Sequence, residues 1–327
     1  MPNAFDTTDA AAAAQPSRKL EFSGRAGELF PIWITNLLFI VLTLGIFRFW
    51  ARTRVRRYFW SRMRYQDEPF EYTGTGLELL IGFLIIFVVV LLPLAAISFT
   101  ASLLAERGDI ATATALNLIF APLVLFLFGA GYYRARRYRM TRTLWRGIRG
   151  TQDEKGWRYG GYFLLALLAN VFTLFLVKPI TDVRLYGYEF NRKWLGSGRF
   201  SFDGRVRPLY PTYLVCWLLA VPTLTLSLLW YNVAFYRHIA RHTRYQDLSF
   251  AFETTPGRLF VFGLVNVLIF VFTLGLGGDF VQMRILRFIS ENLEIQGTQD
   301  FTAIAQTTAE VPGYGEGLAD AFDIGGL

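Results

Sequence analysis

Seven arginines and no acidic residue stand between Arg48 and Arg64, directly after an apolar segment at 29–47. That juxtaposition constrains the fold more than any other feature of the chain. At about 2.5–3.5 kcal/mol for each arginine near mid-bilayer, the basic stretch cannot span a membrane. The same grammar returns along the chain: an apolar segment, arginines mixed with aromatics, then a short alternating strand leading into the next apolar segment. Residues 132–149 repeat the composition, with Tyr132, Tyr133, Arg134, Arg136, Arg137, Tyr138, Arg139, Arg142, Trp145, Arg146 and Arg149. Leu29-Phe30, Asn36 and Thr43-Leu44-Gly45 recur at the same spacing as Leu259-Phe260, Asn266 and Thr273-Leu274-Gly275. Such a register points to internal duplication. The connecting segments echo as well: Arg64-Tyr65-Gln66-Asp67 before Phe70-Glu71-Tyr72 parallels Arg244-Tyr245-Gln246-Asp247 before Phe250-Ala251-Phe252.

With 327 residues, 53% of them hydrophobic and 17% aromatic, and a mean hydropathy of +0.34, the chain is too apolar for a soluble protein of its length. Apolar windows fall at 29–47, 77–104, 112–131, 160–177, 209–235 and 258–276, of which the second and fifth are comfortably long. The expected fold class is an all-α polytopic membrane protein with internal repeats. It has about six apolar helices, amphipathic Arg-rich interfacial helices, and short strands outside the bilayer. Residues 1–19 read as a disordered leader, 20–302 as the repeated membrane domain, and 303–327 as a disordered acidic tail. Cys216 is the one cysteine, which excludes an internal disulfide and every multi-cysteine metal site.

Alternation closed by glycine or a turn marks short strands at Leu20–Gly24, Phe70–Gly74, Phe200–Gly204 and Leu248–Phe252. These either pair in one small sheet or stand as independent turns. Lys and Arg number seven in 48–76, one in 105–111 and nine in 132–159, so the hairpin 77–131 points its turn away from the cytoplasm. The echo at Arg244 places 236–257 on the cytoplasmic side. Residues 178–208 are basic too, yet six alternating crossings put them outside. Either the rule is broken there, or short apolar segments dip in and return.

Read as a helix, 48–64 aligns Ala51, Val55, Tyr58, Phe59 and Met63 on one face, the pattern of a helix lying in the membrane surface. Arg48, Arg52, Arg56, Arg57, Arg134 and Arg137 are therefore candidate ligands of anionic lipid headgroups. Asn36, Asn170 and Asn266 lie inside apolar segments, with Asn117 in another. They read as interhelical bonds or as a polar cluster where repeats meet. His238 and His242 have metal-ligand spacing, but Ile239 stands where a metalloprotease has glutamate, and the flanking arginines repel cations; a basic interfacial helix explains them better. Gln66-Asp67, Gln152-Asp153, Gln246-Asp247 and Gln299-Asp300 read as turn caps. No catalytic triad, Walker or dinucleotide signature is present at usable spacing. No cofactor or metal is implied, and anionic membrane lipid rather than nucleic acid is the polyanion within reach of the basic helices.

The chain resembles the YjgN-like bacterial inner membrane proteins, a family of unknown function. The residues that carry the likeness are Phe22-Ser-Gly24 with Glu28-Leu29-Phe30, Thr43-Leu44-Gly45-Ile46, Phe49-Trp50-Ala51-Arg52 through Arg56-Arg57-Tyr58, and Phe70-Glu-Tyr-Thr-Gly-Thr75. Lys178-Pro179 departs from the pattern. The resemblance implies a multi-pass bacterial inner-membrane location and supplies no catalytic residues. The functional expectation is a non-enzymatic bundle, transport- or channel-like or engaging anionic lipid, with homo-oligomerisation open. The rival is a scaffold that organises envelope partners through its basic helices.

Overall fold

The computed structural model describes residues 17–299 together with Phe301. Among them, a helix, a tight turn, a second helix and a pair of short strands follow one another around a ring. The first hairpin joins α1 (Ala26–Leu42) to α2 (Arg48–Arg62) and leads into β3 (Met63–Tyr65) and β4 (Glu68–Tyr72). The second is far longer. Its first arm runs from α3 (Gly76–Ile86) through a π-helical stretch, Phe87–Leu91, into α4 (Leu92–Glu106); its second is α5 (Ile110–Thr141), followed by β5 (Thr143–Trp145) and β6 (Ile148–Gln152). Next come α6 (Gly156–Phe172), α7 (Lys178–Phe190), β7 (Lys193–Leu195) and β8 (Gly198–Phe202). The fourth hairpin has α8 (Tyr210–Leu218), α9 (Leu228–Arg241), β9 (Thr243–Tyr245) and β10 (Leu248–Phe252). The fifth has α10 (Pro256–Phe272), α11 (Gly278–Asn292) and β11 (Leu293–Gln296).

These strands form one antiparallel sheet in chain order, and the N-terminal residues close it: β1 (Ser17–Lys19) pairs with β11 while β2 (Glu21–Phe22) pairs with β3. The expectation of an all-α bundle of six apolar helices is therefore overturned. An eleven-stranded, nearly closed barrel-like sheet organises the molecule, and two helical segments, Gly76–Glu106 and Ile110–Thr141, are long and apolar enough to cross a membrane. The apolar window expected at 209–235 is not continuous either, because it breaks into α8, a turn and α9. The physical reason is that strands of two to five residues have no stability alone and gain it from neighbours far away in the chain. Residues 178–208 end on the same sheet as 63–72 and 143–152. Of the leader expected at 1–19, residues 17–19 form β1; residues 1–16 and the expected tail at 303–327 lie outside the described residues.

Three of the strand hairpins carry a residue with positive φ just after an aromatic: Gln66 after Tyr65, Arg146 after Trp145 and Gln246 after Tyr245. Positive φ is what a two-residue turn needs to match the twist of its strands. Gln66-Asp67 and Gln246-Asp247 are thus turns within strand pairs. The aromatics beside them converge: Tyr65, Trp145, Ile148, Tyr245, Leu248, Ile295 and Phe301 form a buried apolar core inside the ring. Burial pushes the Tyr245 phenol up to about 12, and it donates to the Leu195 carbonyl at 2.9 Å.

Four helix turns share one construction. Leu44, Leu174, Leu224 and Leu274 all have φ near +50, and the threonine before each donates its hydroxyl back one turn, to Phe39, Ala169, Leu219 and Ile269 carbonyls at 2.6–2.7 Å. Thr43, Thr223 and Thr273 then accept from the amides of Phe47, Ser227 and Gly277. Backbone bonds such as Gly45 to Ile40 and Gly275 to Phe270, both 2.7 Å, close the turn. The tips thus satisfy their own polar groups while presenting apolar side chains: Leu44 is 94% exposed and Leu274 90%.

Candidate functional site

The second helices line the inside of the ring, and their arginines hold it together. Arg57 donates to the Gly74 carbonyl, Arg137 to Gln152, Arg237 to Thr254 and Arg287 to Gly24, at 2.6–3.0 Å. Gly74, Thr254 and Gly24 precede the second, fifth and first hairpins and Gln152 ends β6 before the third, so four of the five second helices are tied to the next hairpin. Two candidate headgroup ligands, Arg57 and Arg137, are thus tied to backbone. Arg56 is buried and donates to the Tyr72 hydroxyl at 3.1 Å. Arg48 lies over the Phe49 and Phe83 rings and Arg134 over Trp157. Arg52, Arg54, Arg134 and Arg184 lie outside the buried set.

Asn36 and Asn266 each meet the second helix of their own hairpin. Asn36 accepts from Arg54 at 3.2 Å and donates to the Ala51 carbonyl at 3.4 Å; Asn266 accepts from Arg284 at 2.9 Å. Asn170 sits nearer its turn and donates to Thr181 at 3.0 Å. The asparagines therefore do not gather in one site. His238 and His242 stack at 4.2 Å between centroids, His238 buried, and no group of three or more metal-type ligands occurs among the described residues.

An open cavity of about 770 Å³ lies between α5, α7, α9 and α11. The charged groups gather on one side, Arg136 of α5 with Lys178, Asp182 and Glu189 of α7, beside Tyr132, Tyr159 and the apolar Leu185 and Phe190. The other side is apolar: Leu259 and Phe262 of α10, Ile285, Phe288 and Ile289 of α11, and Phe252. Phe262 and Phe288 stack there at 4.3 Å. Towards the sheet, Phe200 and Phe250 line the cavity and pack on the apolar core of the ring.

Glu189, 3% exposed, is the hub of the charged side. It accepts from Arg136 Nη1 at 2.8 and 3.1 Å and from Lys193 Nζ. Burial alone raises a carboxyl pKa, but Lys193 and Arg136 outweigh it and hold Glu189 below the ordinary range. Burial holds Lys193 below its ordinary value, Glu189 offsetting part of that and Arg136 adding repulsion. Nearer the turn, Lys178 bonds both Asp182 oxygens at 2.8–2.9 Å, and the Tyr231 hydroxyl donates to Asp182 at 3.0 Å. These acids were legible only in retrospect: Asp182 and Glu189 lie seven apart, two turns along one helix face, in a segment whose pattern looked degenerate.

Two helical segments long and apolar enough to cross a membrane, shorter helices with bare apolar tips and an open cavity with polar and aromatic lining are features that agree with the relatives' description as inner membrane proteins. The chain belongs to the family described as "Bacterial protein of unknown function (DUF898)", whose model matches residues 17–229 and 217–321. It is 25% identical over 177 residues to "Inner membrane protein YjgN" of Salmonella typhimurium, covering 54% of this chain and 42% of that one. To the protein of the same name from Escherichia coli K12 it is 26% identical over 159 residues, 47% of this chain and 36% of the other. These alignments span less than half the length of the curated relatives. No solved structure matches the chain.

Proposed function

We propose that this is a multi-pass bacterial inner-membrane protein with a binding role, holding a small amphiphilic molecule in the cavity between α5, α7, α9 and α11. The hairpin 76–141 crosses the bilayer. The four short hairpins, three of which open with 17-residue helices about 25 Å long (α1, α6 and α10) and one with the nine-residue α8, dip in from the cytoplasmic side and return to it. Self-satisfied turns with exposed leucines support this placement, since backbone at membrane depth must find its partners within the protein.

The observation that carries the binding role is the two-walled cavity. Small-molecule sites combine apolar lining with a few converging polar groups, and here Lys178, Arg136, Asp182 and Glu189 face a wall of Phe and Ile side chains. Both signs of charge on one wall suit a zwitterionic or polar head, and the opposite wall suits an alkyl or aromatic body. The test is mass spectrometry of protein extracted directly into polymer nanodiscs. One amphiphile per chain is expected with the wild type and clearly less with Ile239→Trp, whose larger ring intrudes on the cavity from α9. Equal occupancy in a folded Ile239→Trp protein would overturn the assignment.

A further inference from the structure

The third hairpin lacks a side chain that its counterparts possess. In the first and fifth, an arginine of the second helix donates to an asparagine eighteen residues earlier on the first helix: Arg54 to Asn36 and Arg284 to Asn266. Arg184 holds the same place in α7, nine residues before its strand as Arg54 and Arg284 are before theirs. Eighteen residues earlier stands Ala166, which has no acceptor to offer. A cavity of about 490 Å³ occupies the gap, lined by Ala166, Arg184, Thr181, Ala169, Tyr162 and Tyr188. Arg184 has no hydrogen bond or ion pair among the described residues, and the buried Oδ1 of Asn170, whose amide donates to Thr181, also lacks a partner. The pocket opens outwards, where Tyr162 is 52% and Leu165 63% exposed.

We propose that this crevice between α6 and α7 binds one anionic phospholipid of the surrounding bilayer. The lipid phosphate supplies the acceptor that Ala166 withholds from Arg184, whose planar fork suits two phosphate oxygens. An acyl chain follows Leu165, Ala169 and Ile180 towards the apolar turn at Leu174. The missing acceptor beside an outward cavity sets Arg184 apart from Arg54 and Arg284. The inference rests on the reading that the short hairpins enter the membrane.

The experiment is native mass spectrometry of the full chain, released from nanodiscs of phosphatidylcholine with added phosphatidylglycerol. Wild type is expected to retain one phosphatidylglycerol in preference to phosphatidylcholine. Ala166→Asn, which restores the internal acceptor and fills the gap, is expected to lose it with unchanged thermal stability, and Arg184→Gln to weaken it about tenfold. Retention by Ala166→Asn, equal retention of phosphatidylcholine, or displacement by millimolar inorganic phosphate would each overturn the proposal. In parallel, fluorescence of a nitrobenzoxadiazole probe on Leu174→Cys, in a Cys216→Ser background, is read against spin-labelled lipid. Quenching without lipid retention sinks the lipid site alone, whereas absence of quenching sinks the membrane placement on which it rests.

Discussion

At the scale of single residues, the molecule depends on polar groups that are satisfied in places without water. Thr43 and Thr273 each donate one bond and accept another inside a turn flanked by exposed leucines. Replacing Thr273 by valine keeps the shape and strands the Gly277 amide. A loss of about 1–3 kcal/mol is expected, measured by denaturant unfolding in micelles, whereas Thr100→Val, removing a single bond to Ala96, is expected to cost less. Glu189 is the most consequential acid. With it gone, Arg136 and Lys193 remain half-buried as neighbouring like charges, so Glu189→Gln is expected to destabilise by about 2–4 kcal/mol. Its pH dependence has a definite sign. Because the folded pKa lies below the ordinary 4.5, its contribution is complete above pH 4.5 and lost as pH falls through the folded value. Unfolding midpoints of wild type should therefore fall below pH 4.5 more steeply than those of Glu189→Gln; parallel curves would contradict the pairing.

At the scale of elements, the ring depends on its closure. Ser17–Lys19 pairs with β11 and Glu21–Phe22 with β3, so five residues stitch the first hairpin to the last, and Arg287 holds the Gly24 carbonyl beside them. Removing residues 17–22 leaves β3 and β11 as open edges, which template pairing with other chains. Dimers or larger species by size-exclusion chromatography are expected from that deletion. Arg287→Ala keeps the strands and should stay monodisperse if wild type is, with a loss of about 1.5–3 kcal/mol for the charged hydrogen bond. The junction of α5 and α6 depends on a different device. A Cβ on Gly160 would come within 2.7 Å of the Phe126 carbonyl oxygen, so larger residues there must push the second hairpin from the third.

At the scale of the whole molecule, all strand hairpins lie on one face and the turns of the helix hairpins on the other. In a Cys216→Ser background, cysteines placed at Gln66, Ser197 and Gln246 should all react from the cytoplasm, and one at Arg107 from the opposite side only. Reaction of Ser197→Cys from outside would restore six alternating crossings and refute the short returning hairpins.

Much of this was written in the sequence. Apolar segments, arginine runs and the Asn36–Asn266 register are local or periodic features that side-chain chemistry alone specifies, and they were enough for membrane class and family. The short strands were legible as alternation. Their union was not, because each two- to five-residue strand draws its stability from a partner contributed by another hairpin. Thr173-Leu174 and Thr223-Leu224 match the Thr-Leu of the first turn, yet only the fold shows that they build turns of the same construction. The arginines show the limit most clearly. Sequence places Arg57, Arg137 and Arg287 in basic helices and suggests anionic partners, whereas closure of the ring brings backbone carbonyls within 3.0 Å of all three. Composition fixed where charge can lie; which acceptor each charge meets, and the cavity that Glu189 and Asp182 face, were decided by contacts distant in the chain.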